Sequence, residues 1–288
     1  MERIVRKGVG TYQLTATAYD DDGEVAAISG SPTLTIYDSA DVEVLASVVP
    51  GITNGTLTYA VPNASLSHLD TYRCVWTGTV AGAAQEWETY FELVGGYYFE
   101  ISELRDVGGK VDLTSEVDYP DALLERKRGS VEAIIERAAG VAFVPRGYRH
   151  TFLAYRAHDY TIELPHPRII EVYGITVDGI ALTATELADL TVDARYGRIT
   201  GGTWGNGQPV VVHYEHGYLT CPEPIREGAI DLTVERTIAS ATPARATGVS
   251  TDVGFMRFTL ADGDKHPTGL PDLDAAIELF GEAGVFVG

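Results

Sequence analysis

PDALLERKRGSVEAIIERAA, residues 120–139, is the clearest helical stretch in this chain of 288 residues. Pro120 suits the first position of a helix, and Gly140 can adopt the left-handed conformation that often ends one. Apolar residues recur at the helical spacing and predict one buried stripe. The members of that stripe are Leu124, Val131, Ile134, Ile135 and Ala138.

A buried stripe needs a partner, and residues 222–240 supply a second predicted helix. This helix carries two adjacent apolar stripes, which indicates burial on several sides. They consist of Ile225, Ala229 and Leu232, and of Ile230, Val234 and Ile238. We predict that the two helices pack together. Replacing Ile134 or Ile230 by Ala is expected to cost roughly 2–5 kcal/mol of unfolding free energy, whereas Glu132→Gln, interpreted as a surface change, should cost little.

Residues 1–95 have the alternating pattern of an all-β domain. Strands are expected at 12–19, 33–37, 56–61, 71–77 and 86–93, separated by Gly-, Asn- and Asp-rich turns. Short strands at this spacing are typical of a small sandwich, and the last two are similar to late strands of an immunoglobulin-like (Ig-like) domain. The hydrophobic period changes after residue 95, so we predict a domain boundary there.

Residues 96–240 are predicted to form a second domain that contains both long helices. A short helix is expected at 102–105, and a β insertion at 141–216 with strands at 151–156, 160–164, 169–177, 180–182 and 210–216. Asp178-Gly179 predicts a tight hairpin turn. Residues 241–288 are expected to form an extended arm with a strand-like run at 255–260 and a short helix at 273–280. The predicted fold class is therefore multi-domain α+β.

The charge balance argues against a surface that grips phosphates. The chain has 21 basic and 41 acidic residues, a formal net charge of −20. Nucleic-acid binding surfaces need clustered Lys and Arg. The N-terminus lacks the apolar core of a signal peptide, and no run of 18 apolar residues predicts a spanning helix. Cys74 and Cys221 are interpreted as separate thiols.

No catalytic, cofactor or metal site is predicted. His213 and His216 fall on opposite faces of a strand, and His150, His158 and His166 are too widely spaced for a typical zinc site. The glycine-rich run at 201–207 lacks the ending of a phosphate loop. The acidic run at 20–24 is interpreted as a turn, because it lacks the ligand spacing of an EF-hand. Carboxylates are abundant, but the sequence singles out no catalytic pair.

Several stretches occur in the order found in one known family. These are SELR at 102–105 before the helix at 120–139, LPHPRII at 164–170, YEHGY at 214–218 before PEPIREGAI at 222–230, and PTGLPD at 267–272. From residue 97 onward the layout resembles the head–tail adaptor (connector, or head-completion) proteins of tailed bacteriophages. The β domain at 1–95 is an addition to that layout.

The resemblance implies a structural virion protein with no enzymatic activity and no cofactor. Such adaptors form a homo-oligomeric ring of about twelve copies under the portal protein. The ring extends the DNA channel and docks a tail-side neck or tail terminator protein. DNA would pass the acidic lumen without specific binding. Assembly would occur in the host cytoplasm, without a membrane. Apolar residues of the arm are expected to contact a neighbouring subunit or the portal, namely Phe255, Met256, Phe258, Leu260, Leu270 and Phe286.

Three other functions are compatible with the sequence. The first is another phage neck or tail-completion role. The second is a modular carbohydrate- or surface-binding β protein, in which Trp76, Trp87 and Trp204 would stack on sugars. Buried core tryptophans are the favoured interpretation of these residues, because single aromatic residues of strands usually pack in the core. The third is a hydrolase with a β accessory domain, for which the sequence shows no site.

Overall fold

The computed structural model describes residues 3–7, 11–19, 22–62, 65–107, 112–154, 161–238, 248–251, 254–257 and 267–281. The fold of these residues is mixed α+β, dominated by one large and mainly antiparallel sheet. They form two compact units. Unit 1 comprises residues 1–96 and 145–216, and unit 2 comprises residues 97–144 and 217–288.

The strands, numbered along the chain, are β1 (Arg3–Arg6), β2 (Thr11–Thr17), β3 (Ile28–Tyr37), β4 (Glu43–Val48), β5 (Gly51–Thr53), β6 (Thr56–Pro62), β7 (Thr71–Val80), β8 (Ala83–Val94), β9 (Arg146–Leu153), β10 (Ile162–Glu163), β11 (Ile169–Val177), β12 (Ile180–Ala181), β13 (Thr191–Asp193), β14 (Arg198–Thr200), β15 (Pro209–His216), β16 (Gly248–Thr251) and β17 (Gly254–Arg257). The helices are α1 (Ile101–Asp106), α2 (Asp121–Ala139), α3 (Ala184–Ala188), α4 (Glu223–Thr237) and α5 (Pro271–Phe280).

The large sheet of unit 1 runs in the order β12-β11-β15-β9-β8-β7-β3-β4, and β1 adds to β8 in parallel. Its two halves join where Val94 of β8 pairs with Arg146 of β9. Next to this pair, the Gly95 amide donates a hydrogen bond to the Pro145 carbonyl, at 2.8 Å. The expectation of a separate N-terminal sandwich is therefore not confirmed. The change of hydrophobic period marks where the chain leaves the sheet, but it does not show that the chain returns to the same sheet.

The first half of the large sheet faces a second sheet, β2-β6-β5, across one core. Tyr12 and Leu57 come from the small sheet, and Leu34 and Trp76 from the large one. Trp76 has no exposed surface, and its indole N–H donates to the Thr89 hydroxyl at 2.8 Å. Every second residue of β2 is buried, because one face of its sheet packs against the large sheet and the other does not.

The second half of the large sheet has a core of its own. Val210, Val212 and Tyr214 of β15 pack there with Ile175 of β11 and with Trp204. The sheet β10-β14-β13 contributes to the same cluster. At the β11–β12 turn, Asp178 and Gly179 have φ angles of 51° and 79°. These positive angles are those of the predicted hairpin turn, which the structure confirms.

Unit 2 is built around α2, α4 and α5, with α1 packed on α2. Helix α2 ends at Gly140, whose left-handed φ of 67° lets its amide donate to the Glu136 carbonyl. Leu124, Val131 and Ile135 of α2 are fully buried, so the predicted stripe and the packing of α2 on α4 are confirmed in outline.

Two details of that prediction are wrong. Ile134 is only half-buried, and Glu132, interpreted as a surface residue, is 1% exposed. The Glu132 carboxylate accepts a hydrogen bond from the Tyr98 amide at 2.9 Å, which explains how a charged side chain can occupy the stripe. The side of α2 that is buried therefore includes Glu132 and is rotated slightly from the apolar stripe that the sequence predicts.

Helix α5, which the sequence assigns to the arm, also contributes to this core. Leu273 and Ile277 are 1% and 3% exposed and lie in the same cluster as α2 and α4. At Gly228 of α4, a Cβ atom would come within 2.7 Å of the Leu273 side chain, so the glycine permits close packing of α4 on α5. Among the described helices, none is both long and apolar enough to cross a membrane.

Candidate functional site

Several titratable side chains of unit 1 lie around strand β15. His213 and His216 project from opposite faces of this strand, as their spacing predicts. His213 contacts the rings of His68 and Tyr173, with centroids 5.8 and 5.0 Å away. His216 instead stacks on His166. The two histidines therefore belong to separate clusters.

The His213 cluster joins the sheet to a loop of the N-terminal third. Asp70, which is 2% exposed, places Oδ2 at 3.7 Å from Nε2 of His213. The other ring nitrogen, Nδ1, lies 3.4 Å from the Arg149 guanidinium. Because guanidinium can only donate, Nδ1 must accept, and the ring hydrogen is assigned to Nε2, facing Asp70. Nδ1 of His213 therefore has a protein partner, whereas Nε2 faces Asp70 without a hydrogen bond among the described residues.

Asp70 and Arg149 are also connected through Ser39. The Ser39 hydroxyl donates to Asp70 at 2.8 Å and accepts from Nε of Arg149 at 2.8 Å. The loop lies directly on β9: a Cβ at Gly147 would overlap the Leu69 carbonyl oxygen at 1.7 Å. Only glycine allows this approach. The arrangement fastens the loop to the sheet.

The electrostatics of His213 fit this structural role. Burial lowers the pKa of His213 below its ordinary value, and Arg149 and His68 act in the same direction. Asp70 opposes them without reversing the shift. The neutral form that accepts from Arg149 is thus the favoured one near neutral pH.

On the opposite face, His166 and His216 form a parallel stack. Their ring centroids are 4.0 Å apart with an interplanar angle of 3°. Nδ1 of His166 lies 2.8 Å from the Tyr214 hydroxyl. Burial lowers the pKa of His166 to about 4 and that of His216 to about 2, with nearby His150, His166 and Arg146 adding smaller repulsions. Two neutral imidazoles can stack in this way, but two cations would repel.

Neither histidine cluster forms a metal centre in the part of the chain that the structure describes. Within those residues, no group of three or more His, Cys, Asp or Glu side chains could hold a metal ion. Three members of the motifs considered above, His158, Asp20 and Asp21, lie outside the described residues.

The tryptophans considered as sugar-stacking residues are mostly buried. Trp76 and Trp204 are 0% and 5% exposed. Trp87 is half-buried and covers Gly78, where a Cβ would lie 3.3 Å from the indole. The core interpretation of Trp76 and Trp204 is therefore confirmed, and the geometry offers neither ring to a ligand.

Of the six predicted interface residues, the structure describes Phe255, Met256 and Leu270. Phe255 and Met256 lie in β17, where they pair with Ser250 and Val249 of β16. Leu270 is half-buried against the helical core of unit 2. The remaining three lie outside the described residues, namely Phe258, Leu260 and Phe286. Their role in an interface stays a prediction.

Unit 2 buries two charged side chains on one side of α2. Arg128, 5% exposed, donates to the Phe99 carbonyl at 3.1 Å and stacks over the Tyr97 ring, 3.6 Å from its centroid. Glu132, one turn later, accepts from Tyr98 as described above. Both charges therefore hold the segment that precedes α1. The only feature of the sequence that could indicate this buried pair is the spacing of four residues. This spacing is ambiguous, because oppositely charged residues on exposed helix faces show it as well.

Unit 2 also presents two oppositely charged helix faces. Arg126 and Arg137 are exposed on the side of α2 that points away from the core. Glu227, Asp231 and Glu235 form an exposed acidic stripe on α4. Among the described residues, none of these five side chains takes part in an ion pair. The acidic excess was evident from the sequence, but the exposure of this stripe was not.

Comparison with known proteins finds similarity at the level of structure. No protein-family profile matches the chain, and no curated protein matches it. Among solved structures, the chain is similar to a chain of the neck of an empty GTA particle computed with C6 symmetry. The similarity has a TM-score of 0.39 and 21% sequence identity, and it covers 55% of this chain and 85% of that chain.

Proposed function

We propose that this chain is a structural neck protein of a tailed-phage-type particle, acting as a head–tail adaptor. In this role about twelve copies would form a ring under the portal, extend the DNA channel and dock the tail-side neck or terminator protein. The protein would belong to the virion and be assembled in the host cytoplasm, with no catalytic activity of its own.

One observation carries this proposal. Four of the stretches that resemble the adaptor family, although far apart in the sequence, contribute to a single helical core, whereas LPHPRII lies in unit 1. SELR supplies buried Leu104 in α1, the stretch at 120–139 contains α2, PEPIREGAI opens α4, and PTGLPD leads into α5. The packing of these four stretches in unit 2 supports the proposal.

The charge of the chain supports the same proposal. An excess of 41 acidic over 21 basic residues repels phosphates at a distance. A channel that passes DNA must avoid holding it, because every Lys or Arg contact with a phosphate adds affinity. The acidic balance suits passage of DNA.

We also propose the Ig-like assignment for the described part of residues 1–95. Its support is the strand order, β2-β6-β5 facing β1-β8-β7-β3-β4, with β1 parallel to β8. Two facing sheets of this size belong to the sandwich architecture. The departure is that β8 also pairs with β9, so this sandwich would share a sheet with the β insertion.

The arm contacts can be tested without removing α5. Deleting residues 242–288 would expose Leu273 and Ile277, which are buried in the core of unit 2, so that deletion is expected to destabilise the subunit. Replacing Phe255, Met256, Phe258 and Leu260 by Ser leaves α5 in place. We expect this variant to keep the wild-type melting temperature and to lose binding to the portal.

The experiment that tests the proposed function uses particles that lack this chain. Inactivating its gene in the parent particle should give DNA-filled heads and separate tails, seen by electron microscopy. Adding the purified protein to these heads and tails should restore joining. Complete particles in the absence of the chain would contradict the proposal. Joined particles with a defective tail tip would favour a tail role instead.

A further inference from the structure

The two charged faces of unit 2 are complementary to each other. We propose that the exposed face of α2 in one copy docks on the exposed face of α4 in the next copy, so that Arg126 and Arg137 meet Glu227, Asp231 and Glu235. The inference rests on the proposed function and specifies which surfaces join neighbouring subunits. Its basis is the charge, exposure and position of these five residues.

Arg126 and Arg137 lie on one exposed side of α2. Successive helix residues are rotated by about 100°, which places Arg126 and Arg137 within about 20° of each other. Ser130 and Ala133 are exposed between them. These small side chains allow another helix to approach closely, while the two guanidinium groups lie roughly 16 Å apart along the axis. Glu125, the nearest exposed acid, is rotated by about 100° to the flank of this face.

The acidic stripe of α4 is unfavourable in an isolated subunit. Glu227, Asp231 and Glu235 follow each other at intervals of four residues, so each neighbouring pair faces the same side. Like charges at this spacing destabilise a helix by about 0.2–0.5 kcal/mol per pair. The stripe spans roughly 12 Å, which long guanidinium side chains on the neighbouring helix can reach from either end. A cationic partner would convert this repulsion into attraction.

The positions of the two faces favour a ring. Helices α2 and α4 direct their buried stripes toward the same core, so their exposed faces lie on different outer sides of unit 2. A contact between two different faces of one chain is heterologous, and heterologous contacts between identical subunits generate closed rings or open filaments. A second copy is therefore the occupant that satisfies both faces at once.

The test uses two variants with opposite charge reversals. The acidic variant carries Arg126→Glu and Arg137→Glu, and the basic variant carries Glu227→Lys, Asp231→Lys and Glu235→Lys. Each alone has two faces of like charge and should associate with itself roughly tenfold or more weakly than wild type. An equimolar mixture restores one native and one reversed contact, so alternating copies should associate again. Sedimentation velocity at low ionic strength measures all four samples.

A matched control separates the local effect from net charge. Arg195→Glu with Arg198→Glu changes the charge of unit 1 by the same amount as the acidic variant, on exposed residues outside both faces. This control should associate like wild type. Circular dichroism should show that every variant is folded, because all altered residues are exposed.

The outcomes distinguish this inference from the proposed function. Unchanged association of both reversal variants, or a mixture that stays dissociated, would overturn the inference. If the wild-type protein still formed a ring, the proposed adaptor function would stand. A wild-type protein that remains monomeric, both alone and with the portal of its particle, would overturn both. Loss in each variant and recovery in the mixture would establish the two faces as the subunit contact.

Discussion

The two units bury polar side chains in different ways. In unit 1, Asp70 and His213 come from a loop and a strand that are far apart in the sequence, and they meet through Ser39 and Arg149. In unit 2, Arg128 and Glu132 are one turn apart on the same helix. In the helix the buried charges stand one turn apart, a spacing that exposed helix faces share. In the sheet they are brought together from distant segments, and no local pattern indicates the contact.

The largest expected effect concerns the apolar side of α2. Ile135→Ala should lower the unfolding free energy by about 2–5 kcal/mol, because the side chain is fully buried between helices. Ile134→Ala, next to it but half-buried, should cost clearly less. Chemical denaturation of the two variants measures the difference, and equal losses would contradict the orientation of α2.

Acid should destabilise unit 1 more than unit 2. The folded pKa values of about 4 for His166 and about 2 for His216 lie below the value of about 6.5 in an unfolded chain. The unfolded state therefore binds protons first, and stability that is full above pH 6.5 is lost as the pH falls toward those folded values. Each histidine can lower the unfolding free energy by at most about 1.4 kcal/mol for each pH unit of acidification.

Hydrogen exchange can locate this effect. Between pH 7 and pH 5, after correction for intrinsic rates, amides of β11 and β15 should lose protection more than amides of α2 and α4. His216→Phe, which keeps an aromatic ring against His166, should reduce the loss. The same acid sensitivity in both units, unchanged by this substitution, would count against the assignment of the effect to the stacked pair.

The buried acid of α2 should matter more than an exposed one. Glu132→Ala removes the acceptor for the Tyr98 amide and should cost about 1–3 kcal/mol. Glu125→Ala, on the exposed side of the same helix, should change stability by less than about 0.5 kcal/mol. Thermal melts of the two variants make the comparison, and similar midpoints would mean that Glu132 is not held in the core.

The smallest expected effect has the opposite sign. Asp231 has an acidic neighbour on each side along α4, so Asp231→Asn should stabilise the free subunit by about 0.4–1 kcal/mol through the loss of two repulsive pairs. Asn and Asp have similar helix propensities, so the change isolates charge. The gain should vanish at high salt. A destabilised variant at low salt would show that Asp231 already has a favourable partner within the subunit.

Local sequence patterns predicted individual helices and strands better than the way in which these pack and pair. The helices at 121–139 and 223–237 and the strand at 169–177 were evident because their periodicity extends over many residues. The short strands β4 and β5 and the helix α3 were missed, since three to six residues carry little periodic signal.

The pairing of β8 with β9 depends on a single residue pair between distant segments, and no local pattern encodes it. The candidate site could be predicted only in part for the same reason, since its contacts also join distant segments. The opposite faces of His213 and His216 followed from strand alternation alone. The link from His213 to Asp70 required the loop at Leu69 to rest on Gly147, and only the folded chain shows that contact. The acidic stripe of α4 was visible in the sequence at intervals of four residues, but its exposure was not.

Imaging the intact particle can show whether this chain belongs to the neck. A small peptide tag at a described, exposed site such as the Asp178-Gly179 turn can be labelled with gold and located by cryo-electron microscopy. Label is expected in a ring at the junction of head and tail, below the portal. Label confined to the tail tip, the fibres or the capsid surface would contradict it.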